Sequence, residues 1–211
     1  GKITCESAGD DMSRIEAAIC YLLKKAAPSS ISKTSLLKLT YFADLESMSR
    51  FGRPITDAAW KRDDFGAVAY EIPNTARQMQ GVLVSDYTTY TGNHGTNFCA
   101  SEKLADLEVE LSPNERAILD EMYKELGRLM ATTLGKKTKQ TQPWLVAEEA
   151  GVADLDLSVV APGPGDRFTH FSRVLDSVDL SVRGSVEEIA ALEDDAERFM
   201  APFRLEALGN G

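Results

Sequence analysis

Residues 36–48 carry apolar side chains around more of a helix than one face can hold. Leu37, Tyr41, Leu45 and Met48 recur at helical spacing, and Leu36, Leu39 and Phe42 widen the stripe. A helix of that kind must be enclosed, so the rest of the chain is expected to be built around it. Ser32 or a neighbour supplies an N-cap, and Gly52 ends the helix. Asp44 and Glu46 read as its solvated side.

Other elements follow from pattern and punctuation. Met12, Ile15, Ile19 and Leu22-Leu23 predict a first helix that starts near Asp10 or Asp11 and ends before Pro28. Residues 57–65 read as a short strand or an irregular arm. A helical pattern resumes at Ala67, with a break or kink expected near Ile72 because of Pro73. Residues 82–91 and 97–100 form an expected hairpin with its tip at Gly92-Asn93-His94-Gly95. Ser112-Pro113-Asn114-Glu115 is a capping box with Pro at the first helical position, and Pro143 begins a short helix that holds Trp144. Ala161-Pro162-Gly163-Pro164-Gly165 is loop, and a terminal helix is expected from Ser185. The expected fold is α+β and mostly helical: a helical bundle with a small antiparallel hairpin or sheet. Residues 10–150 read as one domain and residues 151–211 as a C-terminal extension with a loop and a terminal helix.

Composition narrows the function. A net charge of -10 opposes free nucleic acid, since phosphate binding draws on clustered Lys and Arg. The best basic cluster, Lys136-Lys137 with Lys139, is short and reads as a solvated turn. Cys5, Cys20 and Cys99 are too few and too scattered for a disulfide framework or a zinc site. That usage fits a reducing, cytoplasmic setting, with Cys20 as inert core packing. Neither a membrane span nor a signal-peptide pattern is visible.

Several motifs taken in order resemble one family. Lys38-Leu39-Thr40-Tyr41-Phe42-Ala43 is followed by Gly52-Arg53-Pro54-Ile55, by Trp60-Lys61, by Phe65-Gly66-Ala67-Val68 and by Thr138-Lys139 with Pro143-Trp144. This order and spacing are similar to the SocA-like Panacea-domain antitoxins. Ala67 departs from the Pro usual in that family, and Lys139 stands where it often has His. The resemblance implies a protein that binds a protein toxin directly, has no catalytic, metal or cofactor site, and covers its target or locks it in an inactive shape. A protease adaptor that delivers the toxin to a Clp-type machine is an alternative, as is a phage or prophage regulatory protein. The tail after Ala150 has no counterpart in the pattern.

Residue chemistry leaves few competing sites. His94 reads as a solvated turn residue and His170, between Phe168 and Phe171, as packed or half-exposed; neither has a triad partner in view. Adjacent Asp63 and Asp64 point to opposite faces of an extended chain, and an enzyme would have to draw on them and His170. Gly163-Pro164-Gly165-Asp166 lacks the ending of a phosphate loop. Tyr41, Phe42, Trp60, Phe65 and Trp144 are expected to fill space between helices and sheet. Trp60, ringed by Lys61, Arg62, Asp63 and Asp64, also reads as an exposed anchor with a charged rim. With Asp44 and Lys139 these are the candidate partner-binding residues.

Overall fold

In the computed structural model, residues 12–88, 92 and 94–162 are described. The expected terminal helix, His170 and the Gly163–Asp166 loop lie outside them.

The first helix, α1 (Arg14–Ala26), opens on a capping box: the Ser13 hydroxyl accepts the Glu16 amide at 3.2 Å and the Glu16 carboxylate accepts the Ser13 amide at 2.8 Å. The start expected at Asp10 or Asp11 is corrected to this Ser-x-x-Glu signal. Ile19, Leu22 and Leu23 are fully buried, as is Cys20. A two-residue strand, β1 (Ile31–Ser32), leads into the central helix α2 (Lys33–Phe51). Ser32 caps it by accepting the Ser35 amide, and Gly52 closes it in the left-handed region at φ 71°.

Every residue from 36 to 47 of α2 is buried, including Lys38, Thr40, Asp44, Glu46 and Ser47. The helix has no wet side there, which corrects the placement of Asp44 and Glu46. It is enclosed by α3 (Glu71–Gln78), α5 (Pro113–Leu126), α6 (Ala131–Thr138) and a 3-10 turn, Leu157–Val160. Pro73 occupies the first turn of α3, where amides have no intrahelical partner, so it starts the helix without breaking it.

Strands β2 (Val82–Thr88) and β3 (His94–Ala100) form the expected hairpin, and β1 joins its other side in the order β1-β3-β2, all antiparallel. His94 and Gly95, read as turn residues, are the first two of β3 and pair with Thr88 and Tyr87. The Tyr87 ring crosses over Gly95, where a Cβ would lie 2.2 Å from it and would turn the ring aside. Phe98 and Thr96 face inward and are buried.

A short α4 (Glu102–Ala105) precedes α5, whose Ser112–Glu115 capping box forms as expected. Helix α7 (Gln142–Glu149) holds buried Trp144. Leu155, Leu157 and Val160 join the same hydrophobic core, although they fall beyond the boundary drawn at residue 150. The architecture is α+β and mostly helical, with one small antiparallel sheet.

Candidate functional site

Asp44 staples the segment after α2 to the helix core. Its Oδ1 accepts the Ile55 and Thr56 amides at 3.0 and 2.8 Å, and its Oδ2 accepts the Trp60 indole N–H at 2.9 Å and the Thr56 hydroxyl. Burial pushes this carboxyl up, and the bonds to Thr56, Trp60 and Ile55 pull it back. A buried carboxylate is tolerated when donors surround it, and here Ile55, Thr56 and Trp60 provide them. Trp60 is only 3% exposed and packs edge-on to Tyr41, with ring centroids 5.1 Å apart. The expected surface anchor at Trp60 is therefore corrected. Its indole N–H is held by Asp44 and its ring by Tyr41, so it fills space inside the core.

The ring that does reach solvent is Phe65, at 80% exposure. This corrects its expected place between helices. The loop that presents it is fixed from beneath by main-chain contact. Gly66 has φ 96°, and a Cβ there would lie 2.2 Å from Thr138 Oγ1 and 2.7 Å from the Gly135 carbonyl oxygen. A Cβ on Gly135 would in turn lie 2.7 Å from the Phe65 carbonyl oxygen. Loop and α6 therefore touch at a pair of glycines.

Hydrogen bonds flank that contact. Thr138 Oγ1 accepts the Ala67 amide at 3.0 Å and donates to the Gly135 carbonyl at 2.7 Å. Lys38 Nζ donates to the Ala67 carbonyl at 2.6 Å. Thr141 donates to the Thr138 carbonyl, and its hydroxyl lies 2.7 Å from the Tyr41 hydroxyl. Lys38 is 1% exposed; burial pulls its ammonium down to about 8, Asp63 opposes the fall and Lys139 adds to it. Burial also raises the Tyr41 phenol. The Lys-Leu-x-Tyr-Phe-Ala segment, the Phe-Gly step and the Thr-Lys pair, distant in sequence, thus meet in one network.

The remaining candidate residues lie along the loop. Lys61 pairs with Val68 through two main-chain bonds of 2.8 and 2.9 Å, so the arm is irregular with a single β-bridge on this side. Arg62 clamps the end of α7: its guanidinium donates to the Ala147 and Val152 carbonyls and sits 5.3 Å from the Trp144 ring centroid. Asp63 accepts the Tyr70 hydroxyl at 2.9 Å. Asp64 is exposed, and its carbonyl accepts Lys139 Nζ at 2.7 Å. Lys139 also lies 5.6 Å from the Trp144 ring centroid. The Lys136–Lys139 stretch is no solvated turn: it ends α6, with Lys137 and Thr138 buried.

Phe65 borders a groove of about 310 Å3 whose far wall is α6 at Ala131, Thr132 and Gly135. Thr34, Asp64, Lys136 and Lys139 complete its lining. A wider cleft of about 760 Å3 runs between α1, α5 and the loop after α4. Its cations are occupied: Lys24 donates to the Leu107 carbonyl, Arg116 to those of Val109 and Leu111, and Lys25 pairs with Asp120 at 2.9 Å.

The exposed ring expected at Trp60 is found instead at Phe65, five residues further along the same segment. Two aromatic residues five positions apart in a charged segment carry no signal that tells which one turns in. The partner of Trp60 was the missing information, and Asp44 lies about two helix turns before α2 ends at Phe51. Among the described residues no group of three or more His, Cys, Asp or Glu side chains could hold a metal ion, and no helix is long and apolar enough to cross a membrane.

No curated protein and no solved structure matches the chain significantly. The family model for the antitoxin SocA-like Panacea domain matches residues 36–145, just over half the chain, from the core of α2 to α7. With its motif residues meeting in one buried network, the chain belongs to the SocA-like Panacea-domain antitoxin family.

Proposed function

We propose that the protein neutralises a protein toxin by direct contact, through the loop at residues 63–65 and the groove beside it, and that it performs no chemistry of its own. Membership in an antitoxin family supports the general role. The single observation that supports this surface is Phe65. A phenyl ring at 80% exposure stands on a loop held from below by glycine contacts and buried hydrogen bonds. Fixing a large apolar ring in water gains nothing for the isolated fold, whereas a rigid aromatic beside an apolar groove is what interface hot spots are made of. Asp63, Asp64 and Lys139 then form the polar rim, with Lys136 across the groove. Trp60, Asp44 and Arg62 serve by holding the loop.

The test is co-expression with the toxin encoded by a neighbouring gene. Phe65→Asp should abolish rescue of growth while its thermal unfolding matches that of the parent chain, because an exposed substitution changes stability by only about 0.5 kcal/mol. Trp60→Ala should instead lose about 3–5 kcal/mol of stability, as a buried aromatic does. Full rescue by Phe65→Asp would remove this surface from consideration. Toxin abundance in the rescued cells separates masking from delivery for degradation.

A further inference from the structure

The groove beside Phe65 differs in charge from the molecule as a whole. The chain carries a net charge of -10, yet Lys136 and Lys139 line this groove against one carboxylate, Asp64. Among the described residues neither lysine forms an ion pair. The first turns of α2 and α6, which border it at Thr34 and Thr132, hold no acidic residue, so their free amides add to the positive field. Other exposed apolar groups have the opposite surroundings. Leu145 and Val146 on α7 stand beside Glu148 and Glu149, and Leu107 stands among Asp106, Glu108 and Glu110. An acidic segment with apolar side chains is therefore favoured at the groove and repelled at those patches.

The chain contains such a segment. The helix expected from Ser185 opens on a Ser-x-x-Glu signal, Ser185 to Glu188, and Pro202 ends it. Val186, Ile189, Ala196 and Met200 recur on one side at helical spacing, and Glu193 and Glu197 fall along the same side. Residues 185–201 carry six carboxylates and one cation, Arg198. Spacing agrees as well. Side chains three or four apart on a helix stand about 5–6 Å from one another, which applies to Glu193 with Glu197 and to Lys136 with Lys139. Reach is no obstacle. Residue 162 follows the Leu157–Val160 turn, which packs on α7, and Trp144 of α7 lies 5.6 Å from the Lys139 ammonium. One helix thus stands between that point and the groove, and residues 163–184 span up to about 70 Å when extended.

We propose that residues 185–201 of the chain itself lie along this groove in the toxin-free protein, with Glu193 and Glu197 against Lys136 and Lys139 and the apolar stripe against Phe65. The segment then covers the exposed ring and supplies the carboxylates that the two lysines lack. Because it is tethered, a contact too weak to hold a free peptide suffices to keep it in place. A toxin that binds through Phe65 must first displace it. That competition rests on the toxin surface proposed above; the contact itself does not.

Zero-length carbodiimide coupling tests the contact in the full chain. At about 1 μM protein, far below the millimolar effective concentration of a tethered segment, links within one molecule dominate. Peptide mass spectra of the monomer band should show amide links from Glu193 or Glu197 to Lys136 or Lys139. Ile189→Asp with Met200→Asp should lower their yield at least about tenfold, since two apolar side chains no longer leave water. Glu193→Lys should lose the link at that position, and Glu193→Lys with Lys136→Glu should regain one in the reversed sense, which a folding defect would not produce. No link from residues 185–201 to α6 overturns the proposal, as do links that fall instead on Lys61, Lys103 or Lys124. A yield that survives the double aspartate variant overturns it as well. The same double variant should bind the toxin of the neighbouring gene about tenfold more tightly, because its groove is always open. Unchanged toxin affinity alongside the expected links would overturn the competition and remove the groove as the toxin's site, with the contact left standing.

Discussion

At the scale of single residues, the strongest constraints come from charges that the helix pattern assigns to water and the fold takes inside. Asp44 is reconciled with burial by four donors. Glu46 is less well served: Arg50 contacts it, but the same guanidinium also pairs with Glu121 at 2.8 Å. Among the described residues Glu46 Oε2 has no hydrogen-bond partner. Burial raises its carboxyl to about 7, with Arg50 opposing and Glu121 assisting the rise. Between its ordinary value and that one, the folded chain holds a proton that the unfolded chain has released. Stability therefore falls as pH climbs through this window. Glu46→Gln should flatten that slope and stabilise the protein at pH 8 by about 1–3 kcal/mol, read from chemical denaturation at pH 5 and pH 8. An unchanged slope would show that Arg50 fully compensates the buried charge.

At the scale of elements, the contact between α6 and the 63–67 loop decides how well the exposed ring is held. Thr138 is its polar centre, with one hydroxyl bonded to both the Ala67 amide and the Gly135 carbonyl. Thr138→Val keeps the shape and leaves the buried Ala67 amide without its acceptor, at a cost of about 1–3 kcal/mol. Faster amide exchange confined to residues 64–68 is the expected reading. The elements themselves were largely visible in the sequence. Ser112, Pro113 and Glu115 specify the start of α5 through local bonds, and Gly52 specifies the end of α2 through its own conformation. Such signals involve residues within a few positions of one another. The site network links Lys38 to Ala67 and Ala67 to Thr138, across separations no local pattern can encode. That is why the loop was legible and the inward or outward sense of Trp60 and Phe65 was not. The same reasoning explains Asp44, whose partners Ile55, Thr56 and Trp60 all follow the helix that carries it.

At the scale of the whole molecule, the family match spans residues 36–145, yet the core does not stop there. Helix α1 supplies fully buried Ile19, Leu22 and Leu23, and Leu155, Leu157 and Val160 close the far side of α2 and α7. A fragment cut to residues 36–145 would expose those surfaces and lose several large apolar side chains from packing. It should lack a cooperative thermal transition, whereas residues 12–162 should retain one. Cooperative unfolding of the shorter fragment would show that α1 and the 3-10 turn are accessory.

The paired glycines at 66 and 135 carry one more implication. Where two stretches of chain meet through main-chain atoms, their placement does not depend on which side chains stand nearby. The side chains of residues 64 and 65 can therefore be changed without disturbing the seat on which they rest. If residues 63–65 are the surface that meets the toxin, such a seat would let a new target be met by editing a fingertip while the hand stays unchanged.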